Sequence, residues 1–127
     1  GLHLPTGGDV AAAKRQVDPR CLIGRSCHSD QDIAAAETSG ADYATLSPIF
    51  LTSSKPGYGP ALGLERLAAA AAGTSLPLVA LGGINAAQAT ACRDAGAKGI
   101  AVMGEIMRAN DPARTMRALI EAWNGQG

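Results

Sequence analysis

The sequence predicts an α/β fold built from strand–helix units on a parallel sheet, and three observations carry that prediction. Short apolar runs alternate five times with segments of helical length and composition. The last two runs, Pro77–Leu81 and Gly99–Met103, are continuously apolar, as parallel strands covered on both faces are. Every predicted strand leads into polar residues or glycine, whereas the helix-to-strand turns read as structural and partly repeat: Ser39-Gly40-Ala41-Asp42 and Ala95-Gly96-Ala97-Lys98. Chemistry gathered at the strand C-termini is the arrangement of a (β/α) barrel. A doubly wound open sheet follows a similar rule at its switch point. Paired glycines in the last two loops, Gly82-Gly83 and Gly104, favour the barrel, whose last two loops commonly form a phosphate site.

The elements follow in order. Leu2-His3-Leu4 is a strand, and Pro5-Thr6-Gly7-Gly8 breaks regular structure. Asp9 caps a helix over Val10–Val17, since a carboxylate accepts orphan backbone N–H groups, and Asp18-Pro19 ends it. Cys21–Gly24 is the second strand, followed by polar Arg25-Ser26-Cys27-His28. Ser29-Asp30-Gln31-Asp32 resembles a capping box and opens a helix that Gly40 stops. Asp42–Pro48 is the third strand, with Ser47 pushed to extended geometry by the proline that follows. A loop over Ile49–Gly63 leads into an alanine-rich helix, Leu64–Ala72. After the fourth strand, Pro77–Leu81, Asn85 caps a helix to Ala95. After the fifth, Gly99–Met103, comes a short turn around Glu105–Met107. Asp111 caps the last helix, with Pro112 at its first position. Ala113, Met116, Ile120 and Trp123 predict one buried stripe along it.

Bulk properties narrow the function. A chain of 127 residues suits one compact unit, here a single partial (β/α) domain over 1–127. The formal net charge is zero and there is no charge run, which argues against nucleic acid or an anionic membrane as a partner. Four aromatics leave small aliphatics to build the core. No apolar run approaches the roughly 20 residues that span a bilayer, and no signal peptide is visible. Cys21, Cys27 and Cys92 are odd in number and lack C-x-x-C spacing, as expected of reduced thiols in a cytoplasmic protein. The chain opens on Gly1 with a strand immediately after it, so a fragment, or half of something larger, is expected.

Candidate site residues cluster after the strands. Lys55 lies among Thr52, Ser53 and Ser54, and hydroxyls beside an ammonium make charge-assisted bonds to phosphate or pyrophosphate. The alternative is a solvated surface loop. Gly82, Gly83 and Gly104 either allow an anion to approach backbone N–H groups or simply make tight turns. His28, two residues past Ser26, is placed for acid–base work near neutral pH, or for packing. Cys27 has no relay partner that would make it a nucleophile, and His3 reads as structural. Asp9 is open to two roles, metal ligand or helix cap, and no His/Cys/Asp cluster has metal-ligand spacing.

Four stretches together resemble a known family: I-G-R-S-C-H-S (23–29), A-D-Y-A-T-L-S-P-I-F-L-T-S-S-K-P-G (41–57), L-V-A-L-G-G-I (78–84) and G-A-K-G-I-A-V-M (96–103). In this order and spacing they are similar to thiamine phosphate synthase and its TenI-like relatives. The resemblance implies a TIM barrel, of which this chain corresponds to strands four to eight, an apparently truncated set. It implies a magnesium-dependent transferase of thiamine biosynthesis, joining an aminopyrimidine methyl diphosphate to a thiazole phosphate and releasing pyrophosphate. The catalytic demand is then to stabilise the departing pyrophosphate. By resemblance Ser26 and Lys55 hold the diphosphate. Thr52 and Ser54, with Ser53 between them, hold the thiazole phosphate together with Gly83 and the Met103-Gly104 backbone. The family often has serine where Gly104 stands. Its second magnesium aspartate falls near Asp9, but His3–Asp9 is one residue longer than the family's H-L-G-Q-x-D, and the other magnesium ligands lie outside this chain. G-R-S-x-H-S also resembles the TenI branch, a thiazole tautomerase with an acid–base histidine at the position of His28. Two further expectations follow. One is an alternative to both enzyme readings, a phosphate-binding remnant without catalysis, since five units offer an incomplete site. The other is that another chain, a longer parent or self-association completes the barrel, since five units leave two open edges.

Overall fold

The computed structural model describes residues 1–51 and 60–126. Five parallel strands run β1 (Leu2–Leu4), β2 (Ile23–Cys27), β3 (Tyr43–Leu46), β4 (Leu78–Leu81) and β5 (Gly99–Ala101). They alternate with α1 (Val10–Gln16), α2 (Asp30–Thr38), α3 (Gly63–Ala72) and α4 (Ala86–Asp94). Helices α5 (Gly104–Met107) and α6 (Pro112–Asn124) follow β5. Sheet order equals chain order, β1-β2-β3-β4-β5, and each neighbouring pair is parallel. A doubly wound sheet reverses its order so that helices occupy both faces. Here there is no reversal, and with right-handed crossovers every helix falls on one face. This is the winding of a (β/α) barrel wall, and it decides between the two architectures the sequence left open.

Register assigns the faces. Ile23, Cys27, Ala44, Leu46, Leu78 and Ala80 share one face and are at most 2% exposed beneath the helices. Val10, Ile33, Leu67 and Cys92 reach down to them from α1 to α4. The opposite face carries His3, Gly24, Ser26, Tyr43, Thr45, Val79, Leu81, Gly99 and Ala101, which apart from Val79 and Leu81 are small or polar and are mostly half-buried or exposed.

The caps form as their chemistry requires. Asp9, Ser29 and Asp111 each accept a hydrogen bond from a backbone N–H three residues on, and Pro112 stands in the first turn of α6. Asn85 forms a reciprocal box with Gln88. Asp32 does not close a box with Ser29; its carboxylate accepts the His28 N–H at 2.9 Å. Gly40 and Gly96 take φ of +85° and +107° at the two echoing turns, burying Ala41 and Ala97 behind them.

Three expectations are corrected. The second strand starts at Ile23 and runs to Cys27, so Ser26 sits inside the strand rather than in the loop after it. Neither β4 nor β5 is covered on both faces: β4 alternates buried and half-buried residues because helices cover only one face, and β5, at the sheet edge, is half-buried along its length. The α6 stripe is not buried: Leu119 is, but Met116 and Ile120 are 43% and 50% exposed, Ala113 is exposed and Trp123 is half-buried. Helix α6 is anchored on α4 through Thr90 Oγ1 to the Ala122 carbonyl and Arg93 Nη1 to the Trp123 carbonyl, 2.8 and 2.6 Å. Its apolar side therefore overhangs the edge strand, where Ile100, Met116, Ile120 and Trp123 line an open apolar groove of about 430 Å³. Among the described residues no helix is long and apolar enough to cross a membrane.

Candidate active site

Parallel register brings the strand C-termini to one level, so the residues that follow them converge. Cys27 stands beside Leu46, and Leu46 beside Ala80. A cavity of about 400 Å³ opens at this end, and Ser26, His28, Gly83, Met103 and Gly104 all line it. These five sequence-derived candidates come from three separate strand ends. Thr52, Ser53, Ser54 and Lys55 lie outside the described residues. Asp9 is not among the lining residues; its Oδ1 accepts the Ala12 N–H at 2.9 Å and caps α1.

His28 is held by the residue that follows β3. Its Nδ1 lies 2.9 Å from the Ser47 carbonyl oxygen and 3.3 Å from Ser47 Oγ. A carbonyl only accepts, so Nδ1 carries the proton and donates, and in the neutral ring Nε2 is the basic nitrogen. Ser47 is 5% exposed and precedes Pro48 through a cis peptide bond. Its own N–H donates to the Cys27 carbonyl at 3.2 Å, which ties the two strand ends together.

Gly82 and Gly83 have φ of +107° and +64°. A Cβ on Gly82 would meet Pro48 Cα at 2.8 Å, and one on Gly83 would overlap the Leu51 carbonyl oxygen. The glycines thus admit the segment after β3, whose Ile49 and Phe50 N–H groups donate to the Leu81 and Gly82 carbonyls at 3.0 Å. The tight-turn reading of this pair accounts for its geometry, while Gly83 also faces the cavity. At Gly104, α5 begins without a side-chain cap, and Ile106 and Met107 donate to the Met103 carbonyl.

Four polar lining residues were not singled out as ligands from sequence: Ser47, Asn85, Glu105 and Arg108. Asn85 had been read only as a cap. Its Oδ1 accepts from Gln88 N at 3.2 Å, which leaves its NH₂ group as the donor. Arg108 follows Gly104 by one helical turn, and that spacing was its available signal. Cys27 is unsuited to nucleophilic work: burial, with the Asp32 carboxylate adding, pushes its thiol up to about 11. Magnesium is the cofactor the family resemblance implies. Among the described residues no three acidic, histidine or cysteine side chains group to hold a metal, and Asp9 is engaged in its cap. These residues do not compose a magnesium site.

Comparison with known proteins places the chain among relatives of one family. A family model described as thiamine monophosphate synthase matches residues 1–106. The thiamine-phosphate synthase of Haloarcula marismortui is 41% identical over 96% of this chain and 60% of its own length. That of Methanoculleus marisnigri is 42% identical over 100% of this chain and 62% of its own. The solved structure of thiamine phosphate pyrophosphorylase from Pyrococcus furiosus superposes with a TM-score of 0.86 at 30% identity, covering 99% of this chain and 60% of that one. The chain therefore spans about 60% of the length of the relatives it matches.

Proposed function

The chain belongs to the thiamine monophosphate synthase family, and from that premise we propose that it carries the phosphate-gripping part of a thiamine phosphate synthase. The reaction is a transfer: the C–O bond of hydroxymethylpyrimidine diphosphate breaks, its electron pair leaving with pyrophosphate. The thiazole ring nitrogen of a thiazole phosphate then gives its lone pair to the pyrimidine methylene carbon. The products are thiamine phosphate and pyrophosphate. In this reading Ser26 donates to the diphosphate with Lys55, and Thr52, Ser53 and Ser54 meet the thiazole phosphate beside Gly83 and the Met103-Gly104 backbone. Thr52 to Lys55 enter on their sequence alone. Arg108 and the Asn85 amide add donors on the same wall and offset the hydroxyl absent at Gly104. Donors fixed before charge develops stabilise the departing pyrophosphate without reorganising. The reading assigns the reaction to the cytoplasm, where Cys21, Cys27 and Cys92 persist as thiols.

The observation that supports this most is the convergence of Ser26, His28, Gly83, Met103 and Gly104, drawn from separate family motifs, on one cavity. The test is to incubate the chain with both substrates and magnesium and to measure thiamine phosphate and pyrophosphate. Formation of both, reduced by Ser26→Ala, is expected. Binding of phosphate esters without turnover would instead make the chain a phosphate-binding module.

A second reading, thiazole tautomerase, is favoured by one feature. The Ser47 carbonyl fixes the His28 tautomer, so Nε2 is the atom that would take and return a proton. Aromatisation of the thiazole phosphate lost in a folded His28→Ala protein would select it. The reading also takes further strands to cover the exposed edges at β1 and β5 and the apolar side of α6, from a longer protein, another chain or a second copy. Light scattering that finds a stable monomer of this chain would count against it.

A further inference from the structure

Behind Ser26, which lines the cavity, three side chains from three strands form a hydrogen-bonded line on the open face of the sheet. Tyr43 Oη lies 3.0 Å from His3 Nδ1, and His3 Nε2 lies 2.9 Å from Ser26 Oγ. The line is seated on the sheet. Gly24, between His3 and Tyr43 in register, has no side chain, and a Cβ there would overlap the Tyr43 ring. His3 stacks on that ring, centroids 5.6 Å apart and planes 27° from parallel. Thr6 Oγ1 donates to the Ser26 carbonyl at 3.1 Å and fixes the strand beneath the hydroxyl. His3, read from sequence as structural, is thus bonded directly to a residue of the candidate site.

We propose that His3 and Tyr43 are positioning residues that hold the Ser26 hydroxyl as a donor to an anionic phosphoryl oxygen in the cavity. This deepens the proposed function and rests on its reading of Ser26 as a phosphate ligand. A neutral imidazole has one donor and one acceptor nitrogen, so the line runs in one of two senses. In one sense Ser26 donates to Nε2 and Nδ1–H donates to Tyr43, and Ser26 has only lone pairs left to face the cavity. In the other, Tyr43 O–H donates to Nδ1 and Nε2–H donates to Ser26 Oγ. The Ser26 proton must then go elsewhere, and an anion in the cavity accepts it. An anion repels lone pairs and attracts a donor, so its arrival selects the second sense. The phenol, which donates readily, stabilises that sense from the far end. His3 is exposed, so water competes for its nitrogens and the effect is modest. A net hydrogen bond corresponds to about a two- to tenfold change in affinity.

The test uses the full chain and inorganic pyrophosphate, with affinity read by titration calorimetry and folding by circular dichroism. Ser26→Ala, His3→Ala and Tyr43→Phe are each expected to weaken binding by about two- to tenfold. His3→Gln, which keeps an amide donor near the Nε2 position, is expected to restore most of the loss. His3→Ala added to Ser26→Ala is expected to cause no further loss. Nitrogen-15 shifts of His3 in the native pyrophosphate complex are expected to report the Nε2–H tautomer, a readout independent of whether any variant folds. If Ser26→Ala binds as well as the native chain, or the native chain binds no pyrophosphate, the reading of Ser26 falls and this inference with it. If Ser26→Ala weakens binding while His3→Ala and Tyr43→Phe do not, the inference alone falls. It also falls if the losses add in the double variant, or if the complex holds the Nδ1–H tautomer.

Discussion

The two faces of this sheet are built from the same strands, one residue out of step, and they are used differently. On the helix side Ile23, Ala44, Leu78 and Ala80 are sealed and carry no polar group except Arg25, whose Nε has no hydrogen-bond partner among the described residues. On the other side the same strands present His3, Ser26 and Tyr43, with partial or full exposure and side-chain hydrogen bonds, beside a buried Thr45 whose hydroxyl has no partner among the described residues. Alternation along a strand separates stability from chemistry at single-residue resolution. Residues on the chemical face can therefore be polar at little expense to the core, and changes there should alter binding more than folding.

The strongest challenge to that division is a pair of neighbours. Leu78→Ala opens a cavity under the helices and is expected to cost about 2–5 kcal/mol in urea denaturation. Val79→Ala, one residue on and facing the other way, is expected to cost less than about 1.5 kcal/mol, because its site is only half-buried. Equal losses would erase the distinction between the faces. Next in size is Gly83→Ala at the cavity rim. Left-handed geometry costs an L-residue about 1–2 kcal/mol, and the new Cβ would also displace the Leu51 carbonyl. A thermal melt unchanged from the native chain would show that the loop after β3 does not depend on this glycine.

The Cys27 thiol sharpens the comparison through pH. Its folded pKa is raised to about 11 by burial and the Asp32 carboxylate, so the folded state holds this proton more tightly than the unfolded chain does. The contribution to stability is present in full below the ordinary thiol range and is lost as pH rises toward about 11. Melting temperature should fall across that window, and Cys27→Ser should flatten the part of the fall that belongs to this thiol. The smallest effect is expected on α6. Met116→Ser or Ile120→Ser, outside the sealed face, should change the stability of this chain by less than about 0.5 kcal/mol. A larger loss in a sample shown to associate would mark this side of α6 as covered in the assembly.

Much of the site was legible because its residues follow strands and stand next to special backbone positions. His28 and the glycines were found in this way, and the resemblance supplied roles for Ser26 and Met103. His3 was read only as structural because alternation told only which way it points. What it meets there, Ser26 and Tyr43, lies 23 and 40 residues away in the chain. Arg108 was passed over because one cation at the end of a short helix looks like any surface arginine. The α6 stripe was misread for a related reason: periodicity shows that a helix has an apolar side, not that a partner covers it.

By itself the sequence determined the alternation of strands and helices, the caps at Asp9, Ser29, Asn85 and Asp111, and the turns at Gly40 and Gly96. These depend on interactions within a few residues, which composition and spacing report directly. Only the tertiary structure decided the unreversed strand order, the joining of Tyr43, His3 and Ser26 across three strands, and the seating of His28 against Ser47. Those depend on parallel register between segments separated by a whole helix, and register follows from how the sealed face packs rather than from any local pattern.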